Sequence, residues 1–335
     1  MYFFVTPSLR GEIAGFHLII QSSFKPAWWL RNRHAQTIWP SLFRRCPELS
    51  LYRERLELPD GDFIDLDWTA EDNNPLVLLL HGLEGNERSH YVRTLQSHLN
   101  QNGYQSVMMY FRGCSGEVNR RARAYHSGET GDLDFVVSHI RQRFPDRLFH
   151  AIGVSLGGNV LLKWLGETAE LNPLSSAIAI SVPFDLSNAA NQLNNGHSRI
   201  YQRYLLNKLQ SSLRQRLRHM TLPINVKQSR ACNTIRKYDE HVTAPLHGFA
   251  DADDYYTRSS SRQYLSTIHV PTLIVHSKDD PFMTEDAIPT IDELSDQVTL
   301  ELTDKGGHVG FVSGHIPFLP HYWLEKRIVQ FLACH

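Results

Sequence analysis

Closely spaced cysteines, an excess of charge of either sign and long apolar runs are all missing from this 335-residue chain. Its four cysteines, Cys46, Cys114, Cys232 and Cys334, stand far apart with no CxxC pair. A disulfide framework belongs to short secreted chains, and a structural zinc site needs close-set ligands, so neither is expected. Four free thiols in a reducing cytoplasm follow, with Cys114 read as structural rather than reactive. Lys and Arg number 34 and Asp and Glu 35, a formal charge of -1. That balance gives no support to a nucleic-acid partner, which calls for a basic excess on one face. The opening stretch MYFFVTPSLRGEIAGFHLII breaks at Arg10, Glu12 and His17. It falls short of the roughly 20 apolar residues that span a bilayer, and it lacks the order of a signal peptide. The chain is therefore read as cytoplasmic, with no integral membrane segment and at most peripheral membrane contact. No HExxH, P-loop or helix-opening GxGxxG is present, so no metal and no cofactor is expected.

What is present is a regular alternation of strand-like and helix-like segments from residue 51 onward, the mark of an α/β protein with a mostly parallel sheet. Leu51 to Leu58 and Phe63 to Trp68 flank the turn dipeptide Asp60-Gly61, which predicts an antiparallel hairpin leading into the sheet. Six apolar runs follow: Leu76 to Leu80, Ser106 to Phe111, Leu148 to Val154, Ala177 to Val182, Thr272 to Val275 and Val298 to Leu302. Continuous rather than alternating hydrophobicity is what a strand covered on both faces requires. Leu133, Val136, Val137, Ile140 and Phe144 have helical spacing, and a last helix is expected from about Tyr322 to Leu332.

Residues 185–250 interrupt the rhythm, with no good strand. Ile200, Tyr204, Leu205, Leu209, Leu213 and Leu217 follow helical spacing, with Arg199, Arg203, Lys208, Arg214 and Arg216 at other positions. This reads as a helical lid with a solvated basic face. The expected division is an N-terminal extension over 1–50 packing on the core, a core over 51–184 and 251–335, and the lid over 185–250.

Gly153-Val154-Ser155-Leu156-Gly157 matches G-x-S-x-G. Average usage produces that pattern by chance in roughly one chain in ten of this length, so its setting decides. An apolar strand runs into it and the apolar helix Val160 to Leu165 runs out. A serine on such a tight strand-to-helix turn stands clear of the sheet, and the helix N-terminus turns its N–H groups toward a developing oxyanion. Ser155 is the candidate nucleophile. The run LLLHGLEG puts His81-Gly82-Leu83 directly after an early strand, so the amides of Leu83 and Leu156 are the candidate oxyanion donors, with His81 shaping the loop.

Eighteen histidines leave composition mute about the base. Position selects His308, in the glycine-rich LTDKGGHVGF after the final strand. The acid belongs between serine and histidine, where LIVHSKDDPF offers Asp279 and Asp280. Asp280 is favoured because Pro281 turns the chain directly after it, leaving Asp279 to hold the loop by hydrogen bonding. The order serine, acid, histidine is that of the α/β-hydrolase fold.

Several long segments then carry a resemblance: PAWWLRNRHAQTIWPSL, HGLEGN with SHYV, YFRGCSGEVNRRARAYHSGETGDL, GVSLGGNVLLKWLGE, PLHGFADADDYY, HSKDDPFM and GGHVGF. From about residue 24 to the C-terminus the chain resembles the YheT-like esterases, AB hydrolase family 4 of the AB hydrolase superfamily. The first 22 residues lie outside the resemblance. It implies a cofactor-free serine carboxylesterase with nucleophile Ser155, acid Asp280 and base His308. Eukaryotic relatives act on lipid acyl esters and carry an N-terminal membrane anchor with no counterpart in this opening. Short- to medium-chain acyl or lipid-like esters are therefore the expected substrates. Arg112-Gly113-Cys114 and His126-Ser127-Gly128 also follow the family pattern and are expected to hold loops beside the pocket. Trp28, Trp29 and Trp39 are expected to staple the N-terminal segment rather than line an acyl pocket. Two alternatives stay open: a non-catalytic binding protein on the same fold, and an acyltransferase using the same nucleophile, since the acyl-enzyme is common to transfer and hydrolysis.

Overall fold

The computed structural model describes residues 18–70 and 72–335, so the reading of the first 17 residues lies outside the described part. Eight of the strands match the sequence expectation to within about two residues: β2 (Tyr52–Glu57), β3 (Phe63–Trp68), β4 (Leu76–Leu80), β5 (Gln105–Met109), β6 (Phe149–Val154), β7 (Ser176–Ile180), β8 (Thr272–Ser277) and β9 (Val298–Thr303). A further short strand, β1 (Ile19–Gln21), precedes them. They form one sheet in the order β1-β9-β8-β7-β6-β4-β5-β3-β2. β4 to β9 and β1 pair in parallel, while β3 runs antiparallel to both β2 and β5.

Burial on both faces explains the unbroken apolar runs. Along β4, Leu76, Leu78 and Leu80 face one core together with Leu133, Val137 and Ile140 of α3 (Gly131–Arg143) and Val160 to Leu162 of α4 (Leu156–Thr168). Val77 and Leu79 face a second core with Leu95 and Leu99 of α2 (Val92–Gln101) and Ile328 and Leu332 of α11 (Trp323–Leu332). The period-two alternation of a strand divides one sequence between two cores.

The segment read as an N-terminal extension also supplies a strand: Ile19 and Ile20 pair with Leu300 and Glu301 at the sheet edge. Behind it, α1 (Arg33–Phe43) is capped by Asn32, whose side chain accepts from the amides of His34 and Ala35. Trp29 and Trp39 meet edge to face at 4.9 Å and both lie against Phe318, which pins this segment to the C-terminal part of the chain. Trp28 is more than half exposed, but its indole donates to the carbonyl of His315 at 2.9 Å and so adds a polar tie to the same staple.

Between β7 and β8 the chain is helical, with no strand: α5 (Leu186–Leu193), α6 (Arg199–His219), α7 (Val226–Ala231), α8 (Ile235–Tyr238), a π-turn over Asp239–Thr243, α9 (Ala244–His247) and α10 (Ala252–Ser259). Leu206 and Leu213 of α6, with Leu222, Tyr238 and Val242, give this insertion its own small core. The spacing that groups Ile200 and Tyr204 with the apolar face of α6 does not hold for their burial. They are 65% and 59% exposed at the rim of the central cavity, and Leu206 is buried instead. Nor is the basic face simply solvated: Arg203 and Arg214 are exposed, but Lys208 and Arg216 turn into the cavity. Helical periodicity reports one apolar stripe, and α6 has a core on one side and a cavity on the other.

The π-turn buries Asp239, whose carboxylate accepts from Thr243 and Tyr256 at 2.7 and 2.8 Å. Burial pushes its pKa up from 3.8 to about 6. An acid whose folded pKa is raised opposes folding once the pH passes its unfolded value, and the full cost, about 3 kcal/mol, is in place above the folded one. Asp239→Asn is therefore expected to gain in Tm relative to wild type as the pH rises from about 4 to about 7. A Tm difference independent of pH in thermal melts across that range would refute the assignment.

Arg112 joins the loops below the site. Its guanidinium takes both oxygens of Asp132 at 2.7 Å and reaches Asp60 and Asp62 at 2.7 and 3.2 Å. This is the loop-holding role expected for Arg112-Gly113-Cys114. Cys114 is half-buried, and burial with the nearby Glu84 charge raises its thiol pKa well above the usual value, which suits a structural rather than a reactive thiol.

Candidate active site

Ser155 stands between β6 and α4 with φ 53° and ψ -117°, a strained backbone that throws its side chain off the sheet. Glycines make the turn possible. A Cβ on Gly153 would lie 2.5 Å from the carbonyl oxygen of Gly157, and one on Gly157 would lie 2.5 Å from that of Leu80.

His308 arrives on the loop after β9. Its Nε2 is 3.0 Å from Ser155 Oγ and its Nδ1 is 2.8 Å from Asp280 Oδ2. A carboxylate at Nδ1 selects the tautomer with the proton there, leaving Nε2 to accept from the hydroxyl. Asp280 is almost fully buried, and its other oxygen accepts from the amide of Phe282 at 2.8 Å. Asp279 does something different. Its Oδ1 accepts from Ser277 Oγ and from the amides of Gly306 and Gly307, at 2.7, 2.9 and 2.9 Å, so it ties the loop after β8 to the loop that carries His308.

Four further residues fix this arrangement. Phe282 stacks on the His308 ring, centroids 3.8 Å apart and 4° from parallel. Thr37 of α1 accepts the His308 amide at 2.9 Å, and Ser181 accepts that of Val309 at 3.0 Å. Tyr201 of α6 packs against Phe282, ring centroids 5.0 Å apart. None of these could be read from sequence spacing, because each acts across a long stretch of chain with no local signature. Beneath them His276 is fully buried, and burial lowers its pKa to about 4. It stays neutral beside the site.

The loop after β4 closes the other side. Gly82 lies against Ser155, close enough that a Cβ there would sit 3.4 Å from the serine Cβ. Its amide donates to Tyr91 Oη at 2.8 Å, and Tyr91 is held phenolic by burial that pushes its pKa up to about 12. His81 is buried and neutral, its pKa lowered to about 4; one ring nitrogen faces the Gly82 carbonyl at 2.7 Å and the other accepts the Phe111 amide at 3.2 Å. That is a loop-shaping role, as expected. Leu83 and Leu156 both line the cavity beside Ser155. Glu84, at φ 51°, turns the chain away. Its amide and carboxylate both bind Tyr125 Oη, at 2.8 and 2.9 Å, and its second oxygen accepts from Ser212 of α6. The segment His126-Ser127-Gly128 is fastened through Asn159 of α4, which donates to the carbonyls of Ser127 and Ser259 at 2.8 Å each.

The cavity above Ser155 measures about 860 Å³, and Leu186, Leu193, Leu205, Leu209, Val242 and Leu246 of the insertion contribute much of its apolar wall. A hydroxyl, an imidazole and a carboxylate in series, with an apolar chamber over the hydroxyl, can move a proton off the serine while holding an acyl chain out of water.

Fold and site together are those of the α/β hydrolases. The family model described as "alpha/beta hydrolase fold" matches residues 75–314, and the chain belongs to that family. Within it the chain is YheT-like. It is 42% identical over 318 residues to YheT of Escherichia coli (strain K12), covering 93% of each chain. It is 31% identical to Phospholipase ABHD3 of Mus musculus, covering 95% of this chain and 80% of the relative. Among solved structures, the Pyrococcus furiosus esterase Pf2001 superposes with a TM-score of 0.56 at 16% identity, covering 86% of this chain and 91% of that one, which shows the common fold. The protein is a hydrolase of the carboxylesterase type. No helix of the described residues is long and apolar enough to cross a membrane.

Proposed function

We propose that the protein is a serine hydrolase that cleaves carboxylic esters through an acyl-enzyme on Ser155. The observation that carries this is the unbroken series from Ser155 Oγ to His308 Nε2 at 3.0 Å and from His308 Nδ1 to Asp280 at 2.8 Å. In this reading His308 takes the Ser155 proton as Oγ attacks the carbonyl, and Asp280 orients the ring and stabilises the imidazolium. His308 then protonates the leaving alcohol and afterwards activates water to release the acid. The backbone amides of Leu83 and Leu156 are the proposed donors to the oxyanion, each worth about 3 kcal/mol in the transition state. No metal or cofactor enters this scheme.

The substrates proposed are short- to medium-chain acyl or lipid-like esters. A chamber of about 860 Å³ with an aliphatic wall is within the range that encloses a drug-sized ligand. The kinship with a phospholipase points the same way. Cytoplasmic residence is proposed on the free thiols of the chain.

The test is labelling of the purified protein by a fluorophosphonate probe, wild type against Ser155→Ala. The label is expected on the wild type and absent from the variant. A folded wild type that takes no label, or a variant that still takes it, would defeat the assignment.

A further inference from the structure

The cavity that receives Ser155 holds basic groups that the proposed chemistry leaves idle. Arg216 of α6 lines it together with His126 and His247, and Lys208 lies two turns earlier on the same helix. Other arginines of the region are fully engaged: Arg112 by Asp132, Asp60 and Asp62, and Arg123 by both oxygens of Glu129 at 2.6 and 3.3 Å. Arg216 differs. It is half-buried, and among the described residues it donates only to the backbone carbonyl of Ala122, with no carboxylate in ion-pair contact. Lys208 has no ion pair there either; it reaches the Glu84 carbonyl at 3.4 Å and lies over the Tyr204 ring, 5.1 Å from its centroid. Glu84 acts on Arg216 through space, but its oxygens are occupied by Tyr125 and Ser212. His247 lines the same cavity, feels the charge of Arg216, and has a buried Nε2 with no partner among the described residues. A half-buried guanidinium without a counter-charge and a buried imidazole nitrogen without a partner are both costly, and an anion bound between them would satisfy both.

We propose that Arg216 and His247 form a subsite for an anionic oxygen group, phosphate or carboxylate, carried by the ester substrate at a distance from its scissile bond. This deepens the esterase reading and rests on it. A planar guanidinium fork matches either group in bidentate geometry, and Lys208 adds a second positive charge along the same wall. The apolar remainder of the cavity then takes the chain between anion and ester. A metal ion is the competing occupant, because His126, Glu129 and His247 bring ligand atoms within 4.8 Å of one another. The surrounding charge disfavours it: Arg123, Arg216 and Arg112 all act on His247 with the same sign, and Arg123 already holds Glu129.

The experiment is calorimetric binding of octyl phosphate, octanoate and octan-1-ol to the full chain, alongside hydrolysis of p-nitrophenyl hexanoate. At least one anionic probe is expected to bind about tenfold or more tightly than octan-1-ol, and Arg216→Gln to abolish that advantage. Arg216→Lys, which keeps the charge, is expected to restore part of it. Preference between the two anions separates a phosphorylated lipid from an acid-bearing ester. Equal weakening of all three ligands in Arg216→Gln would reduce the residue to a structural role and overturn the proposal. So would a wild type that binds octan-1-ol as well as the anions, or anion binding that needs added zinc and vanishes with chelator. Hydrolysis of the neutral ester reports on Ser155 separately: its absence counts against the esterase reading, while the binding result still decides the subsite.

Discussion

Asp280→Asn is expected to lower kcat on a p-nitrophenyl ester by about 10⁴, while Asp279→Asn lowers it by no more than about tenfold. Both side chains sit at the end of β8, one residue apart, and the difference lies in what they hold. Among the described residues the Asp280 carboxylate hydrogen-bonds only to the His308 ring and the Phe282 amide. An amide at that place can donate to Nδ1, which stabilises the tautomer with its proton on Nε2, unable to accept from Ser155. Asp279 touches no reacting group. Its partners are Ser277 and two glycine amides, and an asparagine oxygen can still accept from them. Loss of one strong acceptor there is expected to appear as about 1–2 kcal/mol of stability in chemical denaturation. Rate losses in the reverse order would move the acid to Asp279.

The second large effect concerns the turn itself. Gly157→Ala would place a methyl 2.5 Å from the carbonyl oxygen of Leu80 and 2.6 Å from that of His81. Both are backbone atoms of the β4 end and its following loop, so no side chain can swing aside. The helix and the loop that flank Ser155 must separate, at a cost of about 4 kcal/mol or more in unfolding free energy. Gly131→Ala is the matched control, since its added methyl meets nothing nearer than a Glu129 oxygen at 3.4 Å and the change is expected to stay within about 0.5 kcal/mol. Urea denaturation of the two variants reads the difference, and comparable stabilities would show that the turn yields more than its geometry allows.

The sheet core was legible because its strands are covered on both faces, so that Leu76 to Leu80 and Ala177 to Ile180 read as short unbroken apolar runs. The turn at Ser155 was legible because its requirements are local: a strand, two glycines and a helix within a few residues. β1 was not, since three residues ending in Gln21 at a sheet edge carry neither a run nor an alternation. Nor were Thr37, Phe282 and Tyr201. Thr37 and Tyr201 act through contacts that exist only after α1 and α6 have packed, and Phe282 through one that exists only after the loops following β8 and β9 have met. The misreading of α6 has the same origin. Its spacing predicts a helix but does not say which side meets a core and which a cavity, so it groups Ile200 with the buried face and Arg216 with the solvated one, whereas Ile200 is exposed and both line the cavity.

Glu84 gives the insertion a stake in the loop it covers. Ser212 and Lys208 of α6 both bind this residue, and Leu83 is its immediate neighbour. The helix is thus a roof whose bolts pass through the floor. Exchanging the insertion for that of a relative, as one would to alter which esters enter, also exchanges two of the fastenings of the Leu83 loop. A graft that keeps serine and lysine at these two places retains the loop's support. A graft chosen for cavity shape alone leaves the Glu84 carboxylate with Tyr125 as its remaining partner, and changes turnover along with selectivity.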